Sequence, residues 1–238
     1  MSVASDRFEK LIAESANSIS GIRASRPTVG TQYSDVLLQK GTTKTWLEVK
    51  MNHTDNLSNP RVFYKNGKWD TTYTTPAAKE TVDILNDDPK TKKFLKDLSK
   101  FTGIPLKQIK IPTTKGGLNE PGAVPLHIMK AYFAQPGINR YIAEMKNYGM
   151  ASLITKHYTV GKAEPAYYMQ AADDFYRISN KNPLKVPNDV PLLKGSGDFK
   201  VRIATRSQFY EVQAELKIMS MPSSKYSLAP DSKKKNPF

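Results

Sequence analysis

An alternating segment near the N-terminus restricts the fold more than any other feature of this sequence. In residues 45–51 (TWLEVKM), the side chains Leu47, Val49 and Met51 alternate strictly with Trp46, Glu48 and Lys50. This period of two predicts a β-strand, because successive strand side chains point to opposite faces of a sheet. Trp46, Glu48 and Lys50 then share one face. The other set should face the core: Leu47, Val49 and Met51.

A second strand is predicted immediately upstream, with an acidic residue at its start. Residues 36–38 (VLL) form a short apolar run, as in strands buried on both faces, and residues 40–43 (KGTT) form a turn. If the two strands pair through this turn, Asp35 and Glu48 lie close enough to share a cation. Two carboxylates with water and a backbone carbonyl suit Mg²⁺. Lys50 beside them would stabilise charge that develops on a phosphate or activate an attacking water.

This order of residues resembles the PD-(D/E)xK nuclease superfamily. The motif consists of Ser34-Asp35, a spacer and then Glu48-Val49-Lys50, with Ser34 in place of the proline of the family name. Upstream, a helix with an acidic residue, the segment Gly21–Ser25 and a basic loop are similar to archaeal Holliday junction resolvases. The resemblance covers about residues 5–53 and implies a restriction-endonuclease-like α/β fold, whose mixed β-sheet is flanked by helices.

The resemblance also implies an activity, Mg²⁺-dependent hydrolysis of DNA phosphodiester bonds by an endonuclease. Asp35 and Glu48 would bind Mg²⁺, with Mn²⁺ able to replace it, and Lys50 would assist the reaction. Family members usually add an acidic residue from the first helix, predicted here over residues 5–19. Glu9 lies on the flank of the apolar stripe of this helix and is favoured as the fourth catalytic residue, whereas Glu14 points towards solvent.

Charge supports a polyanionic partner. The 36 Lys and Arg residues against 22 Asp and Glu give a formal net charge of +14, which favours nucleic acid or an anionic membrane. Two groups of residues are expected to contact DNA: Arg23, Ser25 and Arg26, in a loop that the resolvase resemblance places beside the site, and Arg61, Lys65 and Lys68 among the aromatic residues of segment 54–75. A predicted helix adds a basic face: Lys92, Lys93, Lys96 and Lys100.

Some classes are excluded or disfavoured. The chain contains no cysteine, which excludes disulfides, zinc–thiolate sites and a cysteine nucleophile. No segment approaches 18 consecutive apolar residues and the N-terminus shows no apolar signal region, so we expect no membrane-spanning segment and no secretion signal. We expect DNA rather than a membrane as the partner, and a cytoplasmic location. Of the three histidines, His53 follows the site most closely, but we interpret it, like Asn52, as a surface residue.

The expected domain organisation is a nuclease core over residues 1–180, a C-terminal β-hairpin extension over 181–228 and a disordered basic tail over 229–238. A helical insertion at about 54–124 interrupts the core, with helices over 76–86 and 89–102. A further helical stretch is expected over about 125–148, broken or kinked at Pro136-Gly137, and strands are expected over 151–160 and 167–171. The hairpin pairs residues 199–205 with 209–218.

Several alternatives stay open from the residues alone. Glu48 and Lys50 form only a surface ion pair in one of them, and Asp35 only caps the turn after Tyr33 in another. The basic loop around Arg23 is explained equally well as a solvent-exposed loop without a role in DNA binding. The alternative functions are a non-catalytic DNA-binding protein on a nuclease scaffold, an end-dependent exonuclease, and a basic structural protein that binds a nucleocapsid or membrane. The oligomeric state, a homodimer included, is also open.

Overall fold

The computed structural model describes residues 3–27 and 34–238. Five α-helices lie in this part of the chain: α1 (Val3–Asn17), α2 (Pro76–Asp87), α3 (Pro89–Thr102), α4 (Leu126–Phe133) and α5 (Ala151–Thr159). Its eleven strands are β1 (Ile22–Ser25), β2 (Val36–Lys40), β3 (Thr43–Lys50), β4 (Asn56–Ser58), β5 (Val62–Lys65), β6 (Lys68–Thr71), β7 (Tyr141–Gly149), β8 (Ala166–Ala171), β9 (Asp174–Arg177), β10 (Ser196–Thr205) and β11 (Tyr210–Ile218). None of the described helices combines the length and apolar character needed to cross a membrane.

The strands form three sheets, and the fold class is mixed α/β, as predicted. The five-stranded sheet has the order β1-β2-β3-β8-β9 and is mixed, because β3 and β8 run parallel while its other pairs are antiparallel. The four-stranded sheet has the order β4-β11-β10-β7, and β5 pairs with β6 alone. β3, which carries Glu48 and Lys50, is thus an interior strand of the largest sheet.

The chain divides into two compact units, each built from separate segments. Unit 1 comprises Met1–Asp55, Gly149–Gly197 and Ile218–Phe238, and unit 2 comprises Asn56–Tyr148 and Asp198–Lys217. The sequence likewise predicts a core interrupted by an insertion at about 54–124, but unit 2 extends beyond that insertion to Tyr148 and also includes Asp198–Lys217. The hairpin β10–β11 lies largely in unit 2 rather than in an extension, because β10 and β11 are hydrogen-bonded into one sheet with β4 and β7.

Helix α1 packs one face on the five-stranded sheet of unit 1. Its buried residues recur at helical spacing: Glu9, Ile12, Ala13 and Ala16. The three apolar residues of this set join a core cluster that includes Val36, Leu38, Leu47 and Val49 from β2 and β3. After α1, the Asn17 amide donates to the Ala24 carbonyl at 2.8 Å and accepts from the Ala24 N–H at 2.7 Å. This pair of bonds fixes where the chain enters β1.

The predicted hairpin β2–β3 is present. The strands pair antiparallel with Val36 opposite Leu47 and Lys40 opposite Thr43, and the turn contains Gly41 at a φ of 59°. This register brings the start of β2 beside the end of β3. The expected inward position of Met51 is wrong: Met51 is 37% exposed, because β3 ends one residue earlier.

Several predicted elements are confirmed and others are wrong. Helices α2 and α3 and strands β8, β10 and β11 occur where the sequence predicts them. In the stretch expected to be helical over 125–148, α4 ends at Phe133, just before the expected break at Pro136-Gly137, but the residues after the break form the strand β7 instead of a helix. Segment 151–160 forms the helix α5 instead of a strand. The insertion is not purely helical either, because it contains β4, β5 and β6.

The expectation of a disordered C-terminal tail is also wrong. The N–H of Phe175 in β9 donates to the Tyr226 carbonyl at 2.8 Å, so the C-terminal segment lies along β9. Lys234 Nζ is 2.7 Å from Asp174 Oδ1, and the ring of Phe238 packs edge-on against Phe175 with 5.8 Å between centroids. The last residues are therefore part of unit 1.

Candidate functional site

Glu48 and Lys50 form a buried ion pair on β3. Lys50 Nζ lies 3.0 Å from Glu48 Oε1, and Glu48 is only 4% exposed. The side chain of Lys50 is 16% exposed. Surface ion pairs contribute little because water screens them, but this pair is shielded by its position on an interior strand. The alternative of a solvent-facing pair is therefore wrong.

Asp35 is held against the same strand. Its Oδ2 accepts a hydrogen bond from the backbone N–H of Val49 at 2.8 Å. Burial raises the pKa of Asp35 to about 8, and the negative charge of Glu48 adds to this effect. In the alternative, Asp35 caps a turn after Tyr33, but Tyr33 lies outside the described residues. The described hydrogen bond of Asp35 is to β3, and the two acidic residues of the motif come together as predicted.

Two ammonium groups surround Glu48. Burial opposes its ionisation, but Lys50 and Lys162 outweigh burial and lower the pKa of Glu48 to about 2. Lys162 Nζ lies 3.7 Å from Glu48 Oε2. The Ser34 hydroxyl also favours the ionised form, yet neither Ser34 Oγ nor Glu48 Oε2 makes a hydrogen bond of ordinary geometry within the described chain. The carboxylate thus stays charged, with Oε2 buried and without a hydrogen bond of ordinary geometry.

Lys50 is strongly held in its charged form. Burial works to lower the pKa of Lys50, but neighbouring oxygen groups, chiefly Tyr158, Glu48 and Asp35, raise it well above the usual value. The ammonium group therefore persists across the physiological pH range. A fixed positive charge beside the two acidic side chains is suited to stabilise a developing negative charge rather than to accept a proton.

Glu9 is buried at the predicted flank of α1, and Glu14 is exposed. Glu9 Oε1 accepts a hydrogen bond from Ser5 Oγ at 3.1 Å, and Arg26 Nη2 is 2.8 Å from Glu9 Oε2. The charge of Glu9 reaches Asp35, whose pKa it helps to raise. Glu9 therefore lies within electrostatic range of the motif, although Arg26 engages it in this structure.

The residues predicted to contact DNA fall into two places. In unit 1, Arg23 and Ser25 are exposed on β1, whereas Arg26 is half-buried and paired with Asp6 and Glu9. The other three belong to unit 2: Arg61, Lys65 and Lys68. Arg61 is exposed, while Lys65 pairs with Glu120 at 3.1 Å. Only the first group is built into the unit that holds the motif.

Sequence reasoning missed the residues that α5 and the following loop bring to this site. Besides Lys162, these are His157 and Tyr158. Burial, chiefly, and the Lys162 ammonium lower the pKa of His157 to about 4. Burial and the charge of Glu48 raise the pKa of Tyr158, and its hydroxyl makes no hydrogen bond in the described chain. A helical interpretation of 151–160 would have placed both on the buried face.

The donors at this site suit a hard cation. Asp35 and Glu48 offer carboxylate oxygens, one of them buried without a hydrogen bond. Across residues 3–27 and 34–238, no cluster of three or more His, Asp or Glu side chains could hold an ion by itself. His53, the nearest histidine in sequence, pairs with Asp174 instead. A bound ion would therefore complete its shell with water or backbone oxygens, as Mg²⁺ often does.

No family model, curated protein or solved structure matches this chain.

Proposed function

We propose that this protein is a Mg²⁺-dependent DNA endonuclease with a restriction-endonuclease-like core in unit 1. The observation that carries the proposal is the buried group formed by Asp35, Glu48 and Lys50 at the paired ends of β2 and β3. Removing charges from water costs several kcal/mol per ion. Clustered buried charges with strongly shifted pKa values are typical of functional sites.

Each residue has a defined role in the proposed reaction. Asp35 and Glu48 hold the cation, and Mn²⁺ is expected to replace Mg²⁺ there. The bound cation would supply an activated water and neutralise charge on the phosphate. Lys50 stabilises the negative charge that develops on the phosphate oxygens. Glu9 completes the acidic group once Arg26 pairs with another anion, for which a DNA phosphate is suited.

The proposed substrate is supported by charge. The net charge of +14 favours a polyanion, and phosphate contacts supply most of the non-specific affinity of DNA-binding proteins. The exposed Arg23 of β1 and the basic residues of unit 2 would provide such contacts. A non-catalytic DNA-binding protein would gain nothing from burying two carboxylates and a lysine, so this alternative is less well supported.

Cleavage of supercoiled plasmid tests the proposal. We expect nicking and linearisation with Mg²⁺ or Mn²⁺, and none with EDTA. Asp35→Asn and Glu48→Gln should abolish cleavage while DNA affinity stays within a few-fold, and Glu14→Gln, at an exposed acid of α1, should retain activity. Full activity in both site variants would show that the wrong carboxylates are named.

A substrate panel separates the alternatives. Linear duplex, single strand and a four-way junction would be compared with the closed plasmid. Degradation confined to substrates with free ends would indicate the exonuclease. Metal-independent binding without cleavage of any substrate would indicate the non-catalytic DNA-binding protein.

A further inference from the structure

Lys162 contacts the proposed active site although it lies far from the motif in sequence. It follows α5, and its Nζ lies 3.7 Å from Glu48 Oε2. The same ammonium is 5.8 Å from the centroid of the Tyr158 ring. The side chain is only 16% exposed, so its charge is poorly screened by water. Glu48 therefore faces two cations, Lys50 and Lys162, from separate segments of unit 1.

The two lysines contact Glu48 differently. Lys50 lies within hydrogen-bonding distance of Oε1 at 3.0 Å. Lys162 stands further from Oε2, and Oε2 makes no hydrogen bond in the described part of the chain. Lys162 thus contributes positive charge without occupying the lone pairs of this oxygen. A buried acceptor without a hydrogen bond costs free energy, which is understandable if the oxygen is kept open for a ligand.

We propose that Lys162 is a positioning residue that balances the charge of Glu48 in the metal-free protein and opposes, by charge repulsion, the binding of a divalent cation at Glu48 Oε2. This inference rests on the proposed function, because it assumes that Glu48 is a cation ligand. A divalent cation bound by Oε2 would repel an ammonium group a few ångströms away. Lys162, with its Nζ 3.7 Å from this oxygen, therefore weakens cation binding by charge repulsion.

Direct binding of Mn²⁺ without DNA tests this role. Free Mn²⁺ would be measured by electron paramagnetic resonance in titrations of the full-length protein. Lys162→Met should bind Mn²⁺ about tenfold more tightly, because one repulsive charge beside the cation is removed. Lys162→Arg restores the charge and should bind like wild type. Lys156→Met removes an exposed lysine of α5 and should leave the affinity unchanged.

The outcomes separate this inference from the proposed function. If wild type binds Mn²⁺, Glu48→Gln abolishes binding and Lys162→Met binds equally or more weakly, the role of Lys162 is overturned and the metal site stands. If wild type binds no Mn²⁺, the proposed metal site fails, and this inference fails with it. If Lys162→Met did not fold, Lys162→Gln would be titrated with Mn²⁺ in its place. Loss of folding in both variants would assign Lys162 to the stability of the core and overturn its proposed role.

Discussion

The backbone N–H of Val49 donates a hydrogen bond to Oδ2 of Asp35 across 2.8 Å. Val49 stands between Glu48 and Lys50 on β3, so this bond ties the first acid of the motif to the strand that carries the other two residues. The bond depends on backbone geometry and on the register of the hairpin. Asp35 is thereby fixed beside Glu48 even though like charges repel, and burial together with this repulsion raises its pKa to about 8.

The raised pKa of Asp35 predicts a specific pH dependence of stability. The folded protein binds a proton at Asp35 that the unfolded chain releases near pH 4, so the free energy of unfolding should fall as pH rises from about 4 to about 8. Asp35→Asn removes this ionisation. The variant should therefore gain on the order of 2 kcal/mol relative to wild type between pH 5 and pH 9, measured by urea denaturation in the absence of metal.

The control for this experiment is Glu14→Gln on the exposed side of α1, which should follow the wild-type curve. Glu48 affects stability in a separate pH range. Because its pKa is lowered in the folded protein, its contribution to the free energy of unfolding is lost only as pH falls below about 4.5. Parallel curves for wild type and Asp35→Asn across pH 5 to 9 would contradict the proposed environment of Asp35.

Lys50 should affect the rate of cleavage rather than DNA affinity. Its ammonium is buried beside Glu48 and would act on charge present only in the transition state, so Lys50→Ala should lower turnover by about 10²–10³-fold. Lys50→Arg should not restore the rate, since a planar guanidinium cannot replace a compact ammonium at 3.0 Å from Glu48. Single-turnover kinetics and DNA binding would be measured separately. A loss confined to binding would identify Lys50 as an ordinary phosphate contact.

The hairpin that carries the motif could be predicted because its signals are local. Strict alternation over 45–51, an apolar run before it and Gly41 in the turn define both strands and bring Asp35 beside Glu48. The choice of Glu9 over Glu14 was also local, because it used only the position of each residue on one helix. Such patterns depend on residues a few positions apart.

The parts that were missed depend on distant contacts or on misjudged local signals. Segment 151–160 is rich in β-branched residues, which favoured a strand, yet its buried positions follow a helical period: Leu153, Ile154, His157 and Tyr158. The contact between Lys162 and Glu48 joins residues that no local period relates. The hairpin β5–β6 could have been predicted from Asn66-Gly67, because this dipeptide is typical of tight hairpins. Both residues have positive φ in the β5–β6 turn.

The C-terminal segment should be needed for stability. Lys234 pairs with the buried Asp174, and Phe238 packs on Phe175, so deletion of residues 231–238 leaves an acidic group under-compensated and an aromatic face exposed. We expect a loss of about 2–4 kcal/mol in the free energy of unfolding, measured by urea denaturation. Lys233→Ala, at an exposed neighbour, should have no effect. Unchanged stability in the deletion variant would show that these contacts contribute nothing.

The basic residues of unit 2 should determine the salt dependence of DNA binding. If Arg61, Lys65 and Lys68 each neutralise one phosphate, their combined replacement by Ala should flatten the slope of log affinity against log salt by about three units. Glu120 pairs with both Lys65 and Lys110 at 3.1 Å, so Glu120→Gln should free two ammonium groups and raise affinity at low salt. Fluorescence anisotropy between 50 and 200 mM salt would measure both effects. An unchanged slope in the triple variant would place the DNA-binding surface elsewhere, and the same measurement on a variant lacking the exposed lysines of α3 would then test that helix.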